Sequence, residues 1–397
     1  GRRTTPTVVI ETAELDRLAQ FFVETVGFDR HLVTPADAPR RIELDGFGLT
    51  LALVSAPTNS PVHLVLPPTP GSASTETGQA LVRELAMKAD VIVENFKTGN
   101  LAKYGLGYDD LKDANPKLVY CSITGFGQTG PYAARPGYDF LIQGMGGIMS
   151  ITGAPDDEGG QPTKVGVGIA DVMTGMYATI GILSALRVRD QTGEGQHIDM
   201  ALFDTQLSWL INQGLDHLTD GRVPERRGNA HPAIVPYETF PASDGWFIIA
   251  IGNDSQFRKF CEEAGRTDIC DDPRFTANRD RVANRLALLP ILHDVTRQRT
   301  QAEWIAALAK VGAPAGPVND IPTALRDPQA VHRGAVVRQD HPTAASGYVE
   351  TIGNPMKLSA TPVTYRRPPP TVGQHTEEVL AELGFDASDL RARGALG

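Results

Sequence analysis

The chain has 397 residues, 41% of them hydrophobic and 21% charged, an ordinary globular composition in a chain long enough for two domains. Its formal net charge of -10 and its pI near 5.4 argue against a nucleic-acid-binding protein, which usually presents a basic face. No apolar run approaches the roughly 20 residues that span a bilayer, and no secretory signal opens the sequence, so we expect neither a membrane nor a secreted protein.

Residues 1–70 are interpreted as an atypical N-terminal α+β segment. TVVIET predicts a strand, and ELDRLAQFFVETVGF has apolar residues at helical spacing. RIELDGFGLTLALVSA predicts a hairpin around Gly46 and Gly48, and VHLVL predicts a further strand. The stretch PPTPGSAST, rich in proline, glycine and serine, predicts a joint after this segment.

Residues 71–224 alternate helix and strand patterns and form the predicted large domain. TETGQALVRELAMKA predicts a helix, and VIVENF, KLVYCSITGFG and KVGVGIA predict strands. VMTGMYATIGILSALRVRD is apolar almost all round, so we expect that helix to be buried. This alternation predicts an α/β fold with a doubly wound, Rossmann-like parallel sheet.

Residues 225–318 predict a smaller α/β domain, and residues 319–397 a C-terminal segment that returns to the large domain. WFIIAIGN predicts a strand, SQFRKFCEEAG a helix and NRDRVANRLALLPILHDVTRQ one longer helix. Thr300 and Glu303 have the spacing of a capping box at the start of the next helix. HTEEVLAELGF predicts the last helix.

Asp171 is an isolated acid at the junction between KVGVGIA and the apolar helix, predicted to start at Val172. Aspartate is a good N-cap, and position alone does not separate that role from a nucleophilic one. Gly166, Gly168 and Gly175 leave room for a ligand, and ligands bind at the carboxyl ends of parallel strands. The helix dipole also favours the ionised form that a nucleophile needs.

Two loops offer binding groups. GFGQTGPYAARPGYDFLIQGMGG combines unhindered backbone N–H groups with Arg135 and suits an anion, although glycine and proline also mark plain surface loops. VENFKTGNLAKYG ends a strand in Asn95 and Phe96 and adds Lys97 and Lys103. That segment suits an adenine or a pyrophosphate, and a solvated turn is an equally good interpretation.

The sequence predicts no metal site. No pair among the nine histidines has a metal-ligand spacing, and the three cysteines are an odd number without such spacing. This cysteine pattern is typical of reduced thiols, so we expect a cytoplasmic protein. His231, in the irregular loop GNAHP, is the most suggestive histidine, although a single loop histidine is often incidental.

Together these segments resemble the class III CoA-transferases, the family of formyl-CoA transferase and carnitine CoA-transferase. The resemblance covers residues 76–397. It rests on ADVIVENF with KYG, NPKLVYCSITGFGQTGPYAARPGYDFLIQGMGG, VGVGIADVMTGMYA, TGEGQHIDMALFD, and the tail GAPAGPVND, IGNPMKLS and PPPTVGQHTEEVL.

The resemblance implies that Asp171 attacks an acyl-CoA thioester to give an aspartyl anhydride, followed by an aspartyl-CoA thioester. It implies CoA as a substrate and no permanently bound cofactor. The implied CoA-binding residues are Asn95, Phe96, Lys97, Lys103, Arg135, Gly137 and Tyr138. Asn229 and His231, in RGNAHPAIVPYETF, are the implied substrate residues.

RGNAHPAIVPYETF and IGNDSQF look most like the branch that uses succinyl-CoA or other dicarboxylic acids. The resemblance therefore implies a small dicarboxylate as the acceptor. It also implies an interlocked homodimer, with no nucleic-acid or membrane partner.

Two alternatives remain open within this resemblance. The related α-methylacyl-CoA racemases pair the aspartate with a histidine, where this sequence has Tyr138 in GYD. A phenol, with an ordinary pKa of about 10, is a poor substitute for imidazole in proton transfer. A catalytically impaired CoA-binding scaffold is the other alternative, because residues 1–70 lack the RVLDL-like and EVIKVE-like strands of the family.

Residues 1–70 instead weakly resemble half of a glyoxalase-like module. Such modules bind a metal, and His63 and Glu43 are the candidate ligands in this segment. The first predicted strand, PTVVIET, contains no histidine, so core or surface roles are the preferred interpretation of both residues.

Overall fold

The structure is a computed structural model that describes residues 83, 86–87, 89–370, 374 and 388, and the backbones of five strands between residues 7 and 66. The helices predicted at 14–28 and 375–385 lie outside the described residues. The helix predicted at 75–89 lies largely outside them, with Arg83, Ala86 and Met87 helical. The side chains of His63 and Glu43 are also outside the described part.

One large sheet forms the centre of the fold. Its strands are β1 (Thr7–Thr12), β2 (Asp29–Val33), β3 (Arg41–Gly46), β4 (Leu49–Ser55), β5 (His63–Leu66), β6 (Val91–Glu94), β7 (Val119–Thr124) and β8 (His197–Ala201). The spatial order is β2-β3-β4-β1-β5-β6-β7-β8.

The direction of the strands divides this sheet into two parts. The strands β5, β6, β7 and β8 are all parallel, which confirms the predicted α/β fold with a parallel sheet. The strands β3 and β4 form the predicted antiparallel hairpin. The strand β1 is parallel to β4 and antiparallel to β5, so the N-terminal strands extend the parallel sheet as a mixed one.

Between residues 89 and 224, six α-helices accompany these strands. They are α1 (Tyr108–Leu111), α2 (Asp139–Met145), α3 (Ile148–Ile151), α4 (Ile169–Thr192), α5 (Leu202–Ser208) and α6 (Ile211–Asp220). The helix α4 packs on one face of β7 and β8, where Ala178, Ile182 and Ala185 contact strand residues such as Cys121. Since α4 leads into a parallel strand, its N-terminus lies at the carboxyl edge of the sheet.

The prediction that α4 is buried all round was wrong. Only one stripe of the helix faces the sheet, and Ile180 and Leu183 on the other side are 58% and 60% exposed. The expectation about apolar runs also needs correction, because by length and composition α4 is the one described helix that could span a bilayer. Its contacts with β7 and β8 place it in the helical layer of the α/β fold.

A second group of elements follows residue 225. It comprises β9 (Tyr237–Pro241), β10 (Trp246–Ala250), α7 (Asp254–Glu263), α8 (Thr267–Asp271), α9 (Asn278–Ala283), α10 (Arg285–Thr296), α11 (Gln301–Lys310) and β11 (Ala315–Pro317). The strands pair antiparallel in the order β11-β10-β9. A buried cluster from Val235 to Ala313 joins sheet and helices, with Trp304 at its centre.

Of two helix predictions in this part, one is confirmed and the other is wrong. The capping box of Thr300 and Glu303 is confirmed, because each residue accepts the other's backbone N–H. The long helix predicted from Asn278 is instead two helices, α9 and α10, which meet at Asn284. Asn284 has φ -108° and ψ 24°, outside the helical region, so the helix ends there and restarts.

Arg281, on α9, is fully buried in this second core. Its guanidinium donates to the carbonyl oxygens of Val235, Phe275 and Thr276 at 2.7, 3.0 and 3.2 Å, and to Asp254 Oδ1 at 2.8 Å. Loops that surround β9 and α7 are therefore joined through one side chain.

The remaining described residues run on from this part. They form α12 (Ile321–Leu325), α13 (Pro328–His332) and an antiparallel hairpin of β12 (Val336–Asp340) and β13 (Tyr348–Ile352). His341 Nε2–H donates to the carbonyl oxygen of Pro369 at 2.8 Å, which holds the proline-rich stretch against the hairpin. The domain boundaries at 70, 224 and 318 stay a prediction.

Candidate active site

Asp171 lies in the first turn of α4, at the carboxyl edge of the sheet. The helix begins at Ile169 with Gly168 in the N-cap position, so Asp171 is the third helical residue and not the N-cap. The strand predicted for KVGVGIA is absent from the described residues, because 164–168 is irregular chain. Asp171 therefore projects from a helix start, and its side chain is exposed.

A second carboxylate, Asp139 on α2, caps this helix. The Ala170 N–H donates to Asp139 Oδ1 at 2.8 Å, and Gln143 Nε2 donates to Asp139 Oδ2 at 2.7 Å. Gln143 is fully buried, and its Oε1 accepts the Val165 N–H at 2.9 Å. These two side chains fix the irregular segment that carries Asp171, as an N-cap residue would.

Sequence reasoning missed Asp139 and Gln143, although it considered the loop that contains them. The available signal was their i, i+4 spacing in YDFLIQG, which places the two side chains on one face of a helix.

The two carboxylates influence each other. Burial and the negative charge of Asp139 raise the pKa of Asp171 above that of an ordinary aspartate. The helix dipole should lower the pKa of Asp171, and that effect is outweighed. The dipole acts weakly on an exposed side chain, and the Ala170 N–H already donates to Asp139.

Glycines keep the surroundings of Asp171 open. A Cβ atom at Gly168 would lie 3.6 Å from Asp139 Cγ and 3.7 Å from Asp171 Oδ2, so the two carboxyl groups flank this residue. A Cβ atom at Gly166 or Gly175 would meet nothing within 4 Å. The structure thus leaves space for a ligand beside Asp171.

Replacing Asp139 with asparagine should lower the pKa of Asp171, because it removes the neighbouring negative charge and retains an oxygen that accepts the Ala170 N–H. Carboxyl-carbon NMR of labelled aspartate, titrated in the wild type and the variant, measures this pKa. Asp190→Asn, at the other end of α4, is the matched control and should leave it unchanged. An unchanged pKa in Asp139→Asn would contradict this account of the pair.

The loop after β7 folds back on itself at two glycines. A Cβ atom at Gly137 would lie 2.4 Å from the Gly125 Cα atom, so only glycines permit this crossing of the backbone. Arg135 lies over the ring of Tyr132, 4.5 Å from its centroid. Tyr138 is 76% exposed, directly before Asp139. The loop therefore presents a cation and an aromatic ring to solvent near Asp171.

The turn after β6 lies beside that loop. Asn95 Nδ2 donates to the Ile123 carbonyl oxygen at 2.6 Å, and Thr98 Oγ1 donates to that of Gly127 at 3.4 Å. The Lys97 side chain is exposed. Phe96 is only 5% exposed, so its ring has little free surface on which an adenine could stack.

Lys103 lies in the next short helical turn, Ala102–Tyr104, and its Nζ donates to Asn100 Oδ1 at 3.0 Å. Direct contacts thus run from the turn after β6 to the loop after β7, and from that loop through Asp139 to α4. The predicted residues Asn95, Gly137 and Asp171 are linked along this path.

Asn229 and His231 lie in a different segment, at the start of the second group of elements. Asn229 Nδ2 donates to Thr239 Oγ1 at 3.1 Å, and the His231 ring lies 5.1 Å from that of Tyr237. The Gly228 N–H donates to the Gly153 carbonyl oxygen at 3.0 Å, which joins this segment to the large-sheet part.

Glu238 on β9 is a half-buried acid near these two residues. Burial raises the pKa of Glu238 to about 7, although Arg285 opposes the shift. Arg285 in turn donates to the His231 carbonyl oxygen at 2.5 Å. This acid belongs to a polar cluster that sequence reasoning did not identify.

The described residues offer one kind of chemistry at the α4 site. Asp171 is an exposed carboxylate, and the surrounding loops supply cations and backbone N–H groups for an anion. The three cysteines are free and buried, so within the described residues they present no thiol at this edge. Among those residues, no group of three His, Cys, Asp or Glu side chains could hold a metal ion.

Comparison with known proteins gives one consistent result. Residues 73–376 match the model of a family described as CoA-transferase family III. A succinate–glutarate CoA-transferase from Agrobacterium fabrum is 48% identical over 309 residues, 78% of this chain and 76% of that protein. A succinyl-CoA:glutarate CoA-transferase from Homo sapiens is 36% identical over 306 residues, 77% of this chain and 69% of that protein.

Solved structures agree with the sequence relatives. The chain is similar to a CAIB/BAIF family protein from Brucella suis, with a TM-score of 0.69 and 40% sequence identity. That similarity covers 95% of this chain and 98% of the other.

Proposed function

This chain belongs to CoA-transferase family III and is a CoA-transferase, and from that membership we propose that it moves CoA between dicarboxylic acids through covalent intermediates on Asp171. The observation that carries the proposal is the position of Asp171. It is an exposed carboxylate in the first turn of α4, joined by direct contacts to two loops that suit an anionic ligand.

The first half-reaction uses the Asp171 carboxylate as a nucleophile. One of its oxygens attacks the thioester carbonyl carbon, the carbon–sulfur bond breaks, and CoA leaves as the thiolate. The product is a mixed anhydride between Asp171 and the donor acid. The CoA thiolate then attacks the Asp171 carbonyl carbon, which releases the donor carboxylate and leaves an aspartyl-CoA thioester.

The second half-reaction runs these steps in reverse with the acceptor. The acceptor carboxylate attacks the aspartyl-CoA thioester and displaces the thiolate, giving a new anhydride. The thiolate attacks the acceptor carbonyl carbon, forms the new acyl-CoA and frees Asp171. No proton is gained or lost over the cycle, and no external energy source is needed, because one thioester replaces another.

CoA itself fits the charges at this edge of the sheet. Its phosphates need cations, and Lys97, Lys103 and Arg135 lie on the turn and loops that lead to Asp171. Asn95, Gly137 and Tyr138 are proposed to line the same path, and Phe96 to contribute its backbone. Asn229 and His231 are proposed to contact the acid part of the substrate.

The names of the relatives suggest the substrates. A succinate–glutarate and a succinyl-CoA:glutarate CoA-transferase are both similar over about three quarters of this chain. We therefore propose succinyl-CoA as donor and a short dicarboxylate such as glutarate as acceptor. These relatives favour transfer over racemisation, the alternative that the sequence also allowed.

A substrate screen tests the proposal. The protein is incubated with succinyl-CoA, acetyl-CoA or oxalyl-CoA and with short mono- and dicarboxylic acids, and acyl-CoA products are measured by chromatography with mass detection. We expect the fastest formation of glutaryl-CoA from succinyl-CoA and glutarate. Absence of any transfer by a protein that still binds CoA would overturn the proposal in favour of a CoA-binding scaffold.

The exposed apolar face of α4 supports a homodimer as the working form. Val172, Met176, Ile180 and Leu183 are 52–60% exposed in the single chain. Contiguous apolar surface of this kind is usually covered by a partner. This apolar face begins at Val172, next to Asp171. A second copy that covers it would therefore help to enclose the site.

Leu183→Glu should convert the protein to monomers, because a second copy would have to bury the new charge. Light scattering after size exclusion is expected to give twice the chain mass of 42.7 kDa for the wild type and about that single mass for the variant. Arg279→Glu, an exposed change on α9 and not on this helix, is the control for added charge. A monomeric wild type would contradict the dimer.

A further inference from the structure

A second cluster of ionisable groups lies on the face of the sheet opposite α4, and the mechanism above does not use it. Glu94 ends β6, Ser122 lies in register with it on β7, and His197 begins β8. Glu94 is 6% exposed and Ser122 is 2% exposed. Burying such groups costs stability unless hydrogen bonds compensate, so their partners need an explanation.

Hydrogen bonds join the three side chains into what we name the Glu94 network (Glu94, Ser122 and His197). Ser122 Oγ lies 2.9 Å from His197 Nε2, and its hydroxyl also bonds the Glu94 carboxyl group. A hydroxyl donates one hydrogen bond and can accept others. Ser122 can therefore link Glu94 to His197 whether the proton is on the carboxyl group or on the imidazole Nε2. The Ser122 hydroxyl therefore links the other two side chains.

The Glu94 end of the network holds the turn that follows β6. The Phe96 N–H donates to Glu94 Oε2 at 2.8 Å, inside the protein. This bond sets the path of the backbone through Asn95 and on to the exposed Lys97. The carboxyl group thus supplies a buried acceptor for a loop N–H that no strand partner satisfies.

The His197 end holds the neighbouring segment. Its ring stacks on Tyr108, with centroids 5.1 Å apart and planes 18° from parallel, and meets the edge of Tyr120 at 5.5 Å. Tyr120 Oη donates to the Leu106 carbonyl oxygen at 3.0 Å. The residues between Leu101 and Tyr108, which include Lys103, are therefore fixed against the same network.

We infer that Glu94 is a positioning residue for CoA, which fixes the Asn95–Lys97 turn relative to the Lys103 segment without touching the reacting acyl group. This inference rests on the proposed function, since it takes those two segments as CoA contacts. Local backbone hydrogen bonds join Lys97 to the helical turn of Lys103, and the Glu94 network is the buried support that holds both segments against the sheet.

Two substitutions at Glu94 separate positioning from general stability. Glu94→Gln keeps an oxygen for the Phe96 N–H and an amide that donates to Ser122, whereas Glu94→Leu keeps neither. We expect the leucine variant to raise KM and the calorimetric Kd for CoA about tenfold, with kcat within about threefold of wild type, because one buried hydrogen bond is lost on each side. The glutamine variant should stay within about threefold on all three constants.

Ser122→Ala provides a second variant in case leucine prevents folding. It retains the Phe96 bond and breaks the link to His197, so we expect a rise of about threefold in Kd for CoA. Thr296→Val, which removes a fully buried hydroxyl from the second core, is the matched control and should change stability but not CoA affinity.

The results of these measurements distinguish a failure of this inference from a failure of the proposed function. Wild-type affinity for CoA in Glu94→Leu or in Ser122→Ala would overturn the inference, as would a glutamine variant as weak as the leucine one. A wild-type protein that does not bind CoA would overturn the proposed function, and this inference with it. A loss confined to kcat would also contradict a positioning role in CoA binding.

Discussion

Asp171→Asn should abolish CoA transfer while leaving a folded protein that still binds CoA. The amide has no free oxygen anion to attack a thioester, so neither the anhydride nor the aspartyl-CoA thioester can form. Loss of a covalent nucleophile typically lowers kcat by about 10⁴-fold or more, and we expect a loss of that size here. Turnover of succinyl-CoA with glutarate, followed by product mass, is the measurement.

Trapping gives a direct readout of the same residue. Wild-type protein incubated with succinyl-CoA and then hydroxylamine should carry a hydroxamate at Asp171, found by peptide mass mapping. Asp190→Asn, an exposed acid on the last turn of the same helix, should retain both activity and the adduct. Wild-type turnover by Asp171→Asn would refute the nucleophile assignment.

The asparagine variant should also be at least as stable as the wild type at neutral pH. Burial and Asp139 raise the pKa of Asp171 in the folded state, so the folded protein binds this proton more tightly than the unfolded chain does. The corresponding stability is present at low pH and is lost as the pH rises through the raised pKa. Near neutrality the ionised Asp171 therefore opposes folding, and its neutral replacement does not.

Arg281→Met should cause the largest loss of stability among the substitutions considered. The variant leaves the buried carbonyl oxygens of Val235 and Phe275, and the partly buried one of Thr276, without their donor. We expect the free energy of unfolding to fall by about 3 to 5 kcal/mol, since each unsatisfied buried group costs about 1 to 3 kcal/mol and neighbouring losses overlap. Urea denaturation followed by circular dichroism measures the change.

Arg279→Met is the control for Arg281, because this arginine lies two residues earlier on α9 with its side chain 88% exposed. It should change stability by less than about 0.5 kcal/mol. Arg281→Lys should not restore stability, since a lysine cannot reach several acceptors in one plane as a guanidinium does. Equal stability of the Arg279 and Arg281 variants would disprove the role of the buried side chain.

The candidate site could be proposed from the sequence where glycines surround Asp171 and where β6 and β7 end. The position of Asp171 between a glycine-rich stretch and an apolar helix indicated a ligand-facing acid, and the family match supports the surrounding motifs. Its exact place in the helix was not predictable. The helix starts three residues before the predicted Val172 because Asp139, 32 positions before Asp171 in the sequence, supplies the capping oxygen.

Burial was harder to predict than secondary structure. The composition of α4 does not distinguish a helix buried within one chain from a helix that leaves one face for a partner. Arg281 shows the converse difficulty: a charged residue in a polar helix pattern is typical of a surface position, and long-range acceptors, Val235 before β9 and Asp254 at the start of α7, place it in a core. In both helices, burial depends on contacts with residues that are distant in sequence.

The pairing of β5 with β6 affects how the molecule unfolds. Residues before 73 lie outside the family match, yet hydrogen bonds run from β2 to β8 without interruption. Detaching the first five strands would leave the backbone groups along one side of β6 without partners. We therefore expect the N-terminal strands and the parallel strands to unfold together, so that a destabilising substitution in β1 would lower the melting temperature of the part that carries Asp171.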